Sequence, residues 1–228
     1  MSTDNGTSWT TASSGLTNHY VYALLMDGTN LFAGTYGGGV FLSTNNGTSW
    51  TAVNTGLAGS AVRALLVNGE NLFAGTLGGG VSLSTNSGIS WTPLASGFTN
   101  CHVGALAAGV SSLVAGTDST GVSVSTDAGM TWSASNTGLL NLHVMALVTV
   151  SDGAGGLYYF AGTDGGGIFR STSNGASWTA VNNGLTTLSV TTFLAISNGS
   201  GGTNLFAGTN GGGVFLSTTN NGWSWTAA

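Results

Sequence analysis

The sequence predicts an all-β chain, a five-bladed β-propeller of four-stranded antiparallel blades with one surplus outer strand. Two observations carry that expectation and a third removes its main competitors. An octet recurs along the chain: STDNGTSW at Ser2 to Trp9, STNNGTSW at Ser43 to Trp50, STNSGISW at Ser84 to Trp91, STDAGMTW at Ser125 to Trp132 and STSNGASW at Ser171 to Trp178, with a longer form, STTNNGWSW, at Ser217 to Trp225. Its tryptophans are spaced by 41, 41, 41, 46 and 47 residues, and a period in this range marks a propeller or a solenoid. No stretch of useful length carries the apolar periodicity of an amphipathic helix. A parallel β-solenoid is the structural alternative; a four-strand unit with a Trp-bearing last strand disfavours it.

Each octet reads as a tight corner followed by a strand. The third side chain (Asp4, Asn45, Asn86, Asp127, Ser173) accepts hydrogen bonds from the amides of its own turn, and Gly6, Gly47, Gly88, Gly129 and Gly175 supply the left-handed conformation that closes it. The tryptophan three residues later stands on the outgoing strand, where its indole wedges between layers and its ring N–H finds a carbonyl. The octet resembles the Asp-box or BNR repeat, S-x-D-x-G-x-[ST]-W, of the β-propellers in sialidases, the sortilin luminal domain and photosystem II assembly factors. Asp4 and Asp127 keep the acid of that motif, and Asn45 and Asn86 keep the acceptor.

The spacing predicts one domain over residues 1–228, with 1–14 as the extra outer strand and repeats of about 41–47 residues after it. In the first full unit the strands are Tyr20 to Met26, Asn30 to Thr35, Gly39 to Thr44 and Ser49 to Val53. First strands, such as Ala61 to Val67, Val103 to Ala108, Val144 to Val150 and Val190 to Ile196, are apolar nearly throughout, which predicts cover on both faces. Asp27-Gly28 and Asn68-Gly69 signal the first hairpin, and Gly runs such as Gly37 to Gly39 precede the third strand. The fourth and fifth units lengthen the first hairpin, at Ser151 to Gly156 and Ser197 to Gly202. That hairpin is expected on the octet face.

First, second and third strands occur five times and fourth strands six, because Ser8 to Ala12 precedes the first complete unit and Trp223 to Ala228 closes the last. The surplus strand, with Ser8, Trp9, Thr10, Thr11, Ala12, Trp223 and Trp225 as its assembly residues, is an idle edge, a scar of excision from a longer array, or a strand that completes a blade in a neighbouring molecule. The last gives head-to-tail addition, which closes to a ring or runs on as a filament.

Composition narrows the function. Charged residues are 4% of the chain, the net charge is −5, and Arg63 and Arg170 are its only Lys or Arg residues. Nucleic acid, whose binding rests on clustered Lys and Arg, is excluded as a partner. Cys101 is single, so no internal disulfide or Cys-based zinc site forms, and it reads as a small buried residue. No apolar run reaches membrane-spanning length. Met1 is followed at once by the first octet with no charged-then-apolar leader: either a leader has been removed or the chain is not exported by that route. Asn5, Asn46 and Asn198 begin glycosylation triplets.

For sialidases the resemblance implies an arginine triad, a Tyr–Glu nucleophile pair and an Asp acid. Two arginines and one glutamate, Glu70 in a hairpin on the octet face, do not supply them. Another glycoside hydrolase needs two carboxylates at a set separation. Aligned units place Asp118, Asp164 and Asn210 with Tyr36 and Leu77 at one turn, and His102 and His143 at the same end of their first strands. Asp118, Asp164, Asn210, His102 and His143 form a mouth suited to a cation or a sugar, although Asp and Asn at turns also cap their own backbone. Arg170 falls in an apolar column and needs a partner, from Asp152, Asp164 or a neighbouring molecule. Trp223, the extra residue of the last octet, is expected to face away from Trp225. The expected function is a non-catalytic extracellular or cell-surface module without cofactor, self-associating as a filament or surface-layer subunit or joined to a host surface protein. A multivalent lectin binding glycans is the alternative, and a glycoside hydrolase the remaining class.

Overall fold

The computed structural model describes residues 1–94, 97–98, 101–199, 201–218 and 222–228. It is all-β: five blades of four antiparallel strands each, arranged as a β-propeller, with no helix among the described residues. None is therefore long and apolar enough to cross a membrane. The chain divides into two compact units, Met1–Pro93 and Leu94–Ala228. Blade 1 comprises β1 (Val21–Asp27), β2 (Asn30–Thr35), β3 (Gly39–Ser43) and β4 (Thr51–Ala52), and blade 2 comprises β5 (Val62–Asn68), β6 (Asn71–Thr76), β7 (Gly80–Ser84) and β8 (Thr92–Leu94). Blade 3 comprises β9 (Val103–Ala108), β10 (Leu113–Thr117), β11 (Val122–Ser125) and β12 (Ser133–Ala134), and blade 4 comprises β13 (Val144–Ser151), β14 (Leu157–Thr163), β15 (Gly167–Ser171) and β16 (Thr179–Ala180). Blade 5 comprises β17 (Val190–Ser197), β18 (Thr203–Thr209), β19 (Gly213–Ser217) and β20 (Thr226–Ala227). Within every blade the strands lie in chain order.

The octet closes its own corner. In Ser43–Trp50, the Gly47 amide donates to Ser43 Oγ at 2.9 Å, Ser43 Oγ donates to Asn45 Oδ1 at 2.9 Å, and the Ser49 amide donates to the same Oδ1 at 2.9 Å. The residue before the glycine is left-handed too: Asn5, Asn46, Ser87, Ala128 and Asn174 have φ between 52° and 58°. Two consecutive left-handed residues turn the chain, so the corner asks more of its sequence than glycine alone.

The core lies between successive blades. In unit 1, Phe32 and Val40 of blade 1 pack with Val62, Leu72 and Trp91 of blade 2. In unit 2, Val114 of blade 3 packs with Tyr159 and Trp178 of blade 4, and Phe160 of blade 4 with Leu205 and Trp225 of blade 5. Each bridging indole donates backwards: Trp91 Nε1 to the Val53 carbonyl at 2.8 Å, Trp178 to Ser135 at 2.9 Å and Trp225 to Val181 at 2.8 Å. Trp132 instead donates to Gly129 of its own octet at 2.8 Å.

Two sequence expectations are corrected. First strands are not the most covered: β1 is largely exposed, whereas β2 and β3 are buried along most of their length. A first strand is a sheet edge, while the second and third have strands on both sides. Ser8 to Ala12, expected as a sixth fourth strand within 1–14, joins no ladder. Every fourth strand pairs with the third strand of its own blade, as Thr51 with Leu42, and residues 1–20 contain no third strand. The expectation of six fourth strands thus gives way to five among the described residues.

Candidate functional site

One end of each blade is built by a repeated pair of local features. The residue after the second strand donates its amide to the carbonyl just before the first strand: Tyr36 to Tyr20, Leu77 to Ala61, Asp118 to His102, Asp164 to His143 and Asn210 to Ser189, at 2.9–3.2 Å. Each first strand then bulges at its second residue, so Tyr22, Arg63, Gly104, Met145 and Thr191 oppose no partner. Bulges re-aim a side chain and often border functional sites. Three columns of side chains therefore gather at this end of every blade.

In unit 2 these columns are polar. His102 Nδ1 lies 2.5 Å from Asp118 Oδ2, and His143 Nδ1 lies 3.6 Å from Asp164 Oδ2. Ser189 Oγ donates to Asp164 Oδ1 at 2.6 Å, tying blade 5 to blade 4. Asn210 is exposed and enters the group through its amide bond to Ser189. The predicted cluster is thus resolved as two His–Asp pairs, with Ser189 and Asn210 beside the second. Ser189 escaped the sequence reading although alignment puts it in the column of His102 and His143; a serine before a strand carries no signal of its own.

In Ser189–Asp164–His143 the carboxylate stands in the middle, so no imidazole is placed to take the serine proton, as nucleophilic catalysis requires. Among the described residues no three His, Cys, Asp or Glu side chains gather to hold a metal ion. What the pairs offer is a row of part-exposed donors and acceptors, each held by a neighbour.

In unit 1 the same columns are aromatic. The Tyr22 and Tyr36 rings stand 5.8 Å apart and tilted, with the Arg63 guanidinium 5.0 Å over Tyr22. Tyr20 is 72% exposed. Asn18 holds the cluster, its Nδ2 donating to the Tyr36 carbonyl and its Oδ1 accepting from the Tyr20 amide. Tyr22 and Arg63 are equivalent residues of successive first strands, and nothing in the sequence brought them to Tyr36, because the bulge that does so has no sequence mark. His19, one position earlier, is exposed.

The assembly residues are split. Trp9 is 74% exposed, and Ser8, Thr10 and Thr11 are exposed as well. Ala12 is half-buried, its carbonyl accepting from Trp50 Nε1 at 2.9 Å. Trp225 is buried, while Trp223 is 47% exposed and lies 4.2 Å from the Arg170 guanidinium, which also stands 5.0 Å over Tyr158. Rings thus hold this cation. Asp152 caps its own hairpin through the amides of Ala154 and Gly156. Asn5 and Asn46 are exposed at octet corners, and Asn198 is exposed in the blade 5 hairpin, whose Ser200 lies outside the described residues.

Comparison with known proteins places the fold. The sequence profile of the DUF6242 beta propeller domain matches residues 16–146, more than half of the chain. The chain belongs to that family. No curated protein matches it significantly. This DUF6242 propeller is similar to the extracellular domain of a putative hybrid two component system from B. thetaiotaomicron, at 16% identity and TM-score 0.74 over 93% of this chain and 28% of that one. An ancestral GH74 enzyme is similar at 20% identity and TM-score 0.71, over 92% and 31%. YCF48 bound to D1 peptide is similar at 18% and 0.62, over 90% and 65%. At such identities the likeness is one of fold, and the DUF6242 propeller spans less than two thirds of the length of each of these structures.

Proposed function

We propose that the chain is a non-catalytic extracellular assembly module, joined to copies of itself or to a host surface protein through the segment Ser8–Ala12. One observation carries this reading. Ala12 accepts the Trp50 indole proton as Val53 accepts that of Trp91, so the segment sits where a preceding blade's fourth strand belongs. Among the described residues its outer edge pairs with no third strand, Thr10 being bonded to Met1. Two such neighbours as the two component system's extracellular domain support the location, and the Ser–Asn–Gly bonds of the octet support its reading as an Asp-box repeat. Deleting Ser2–Ala12 is expected to abolish assembly and leave the sheets folded. Unchanged particle size by light scattering overturns the reading.

The second reading is a lectin, favoured by the repeated His–Asp pairs at one end of blades 3 and 4. A glycan array is expected to give a saturable hit that Asp118→Asn with Asp164→Asn removes; a hit that survives both substitutions moves binding elsewhere.

A further inference from the structure

We propose that the partner of Ser8–Ala12 is β19 of a second copy, where the segment takes the seat that β20 holds in its own blade. This rests on the self-association reading and names its second surface. The exit from a fourth strand is stereotyped within each unit. The amides of Trp91, Trp178 and Trp225 donate to the carbonyls of Thr55, Thr137 and Asn183 at 2.8–2.9 Å, and left-handed Gly56, Gly138 and Gly184 press on the same three tryptophan carbonyls. The N-terminal segment repeats every contact: the Trp50 amide donates to Ser14 at 2.8 Å, its indole to Ala12, and Gly15 presses on its carbonyl. Residues 12–15 therefore have the geometry of the exit of a fourth strand.

The register names the pairing. Thr51 and Ala52, one and two residues after Trp50, pair with Leu42 and Phe41; Thr226 and Ala227 pair in the same way with Leu216 and Phe215. Thr10 and Thr11 hold those positions after Trp9 and both are exposed; the Thr10 amide and carbonyl, bonded to Met1 at 2.8 and 2.6 Å, exchange Met1 for the second copy's strand. On the blade faces, the complement is equally specific. In two internal interfaces an octet glycine sits on a fully buried aromatic of the previous blade's second strand, Gly88 on Phe32 and Gly222 on Phe160, and in a third Gly175 sits on Val124 and Val114. Phe206 is the equivalent in blade 5, yet it is only half-buried and lines an apolar hollow of about 260 Å³ with Leu194 and Val214. Gly47 is the octet glycine of blade 1, and it borders a groove of about 340 Å³ with Trp9, Ala12, Val21, Leu24 and Trp50. Phe206 with its hollow and Gly47 with its groove match the two halves of that repeat interface. Blade 5 of one copy on blade 1 of the next joins them by head-to-tail addition. Ala12 and Ala228, each three residues after its tryptophan, are then rivals for the Trp50 indole, so β20 of the receiving copy is displaced.

The test mixes two full-length chains in a Cys101→Ser background, one carrying Thr10→Cys and the other Leu216→Cys. Paired strand residues lie within disulfide reach, so oxidation is expected to yield the mixed dimer, and Phe206→Glu on the second chain is expected to abolish it. Removing Ser224–Ala228 vacates the seat and is expected to shift assembly to larger species at equal concentration. If deleting Ser2–Ala12 dissolves the assembly while no mixed dimer forms, the module stands and β19 is not its partner. A monodisperse monomer at all concentrations overturns both.

Discussion

Ser2–Trp9 and Ser43–Trp50 differ by one residue, Asp4 against Asn45, and fold the same corner, yet Trp9 is 74% exposed and Trp50 is 8% exposed. In both, the octet serine accepts the glycine amide and the third residue accepts the amide of the seventh. The corner is thus a local property, made by eight residues wherever they stand. Burial of the indole is not: Trp50 has the Ala12 carbonyl and the Leu16 side chain behind it, whereas Trp9 stands largely in solvent.

The largest test of that contrast replaces the indoles. Trp178→Ala removes a buried ring and its bond to Ser135 and is expected to cost about 3–5 kcal/mol in urea unfolding, whereas Trp9→Ala stays within about 0.5 kcal/mol. Equal losses would mean that Trp9 is covered in solution. A smaller effect asks whether the N-terminal segment is seated. Gly15→Ala, at φ +81° against the Trp50 carbonyl, is expected to cost roughly 1–3 kcal/mol, as is Gly56→Ala against Trp91. Gly28→Ala, at φ +59° with open space around it, is expected to show the backbone strain alone, about 1 kcal/mol. An inert Gly15→Ala would show the segment unseated.

The smallest effect separates Asp from Asn corners. Hydrogen bonds from the Thr131 hydroxyl and amide, then from Ser125, lower the Asp127 carboxyl to about 2, and those from Ser8 and Ser2 do the same for Asp4. With the folded value below the unfolded one, the unfolded chain binds more protons between them. The stabilisation is complete above the ordinary carboxylate range and is lost as pH falls through about 4 towards 2. Thermal unfolding followed from pH 5 to 2 is expected to fall more steeply for the native chain than for Asp127→Asn, which keeps an acceptor that does not titrate.

Much of the fold was legible because it is periodic: the octet, the tryptophan spacing and the Gly runs each placed a turn or strand within a residue or two. The burial of the first strands was not, since an apolar run looks alike at a sheet edge and in its middle. The site was half legible. Alignment put Asp118 with Asp164 and His102 with His143, but their pairing, the bond from Ser189 and the gathering of Tyr22, Tyr36 and Arg63 depend on a bulge that changes no residue type.

By itself, then, the sequence determined the five octet corners among the described residues and the number of blades, because hydrogen bonds spanning four residues and two left-handed positions need no distant partner. Only the tertiary structure decided which indole, aromatic ring and strand edge found a neighbour, because covering an apolar face takes a second sheet. Thr10, whose amide and carbonyl are bonded to Met1, shows the same: its partner is a property of what lies across from it.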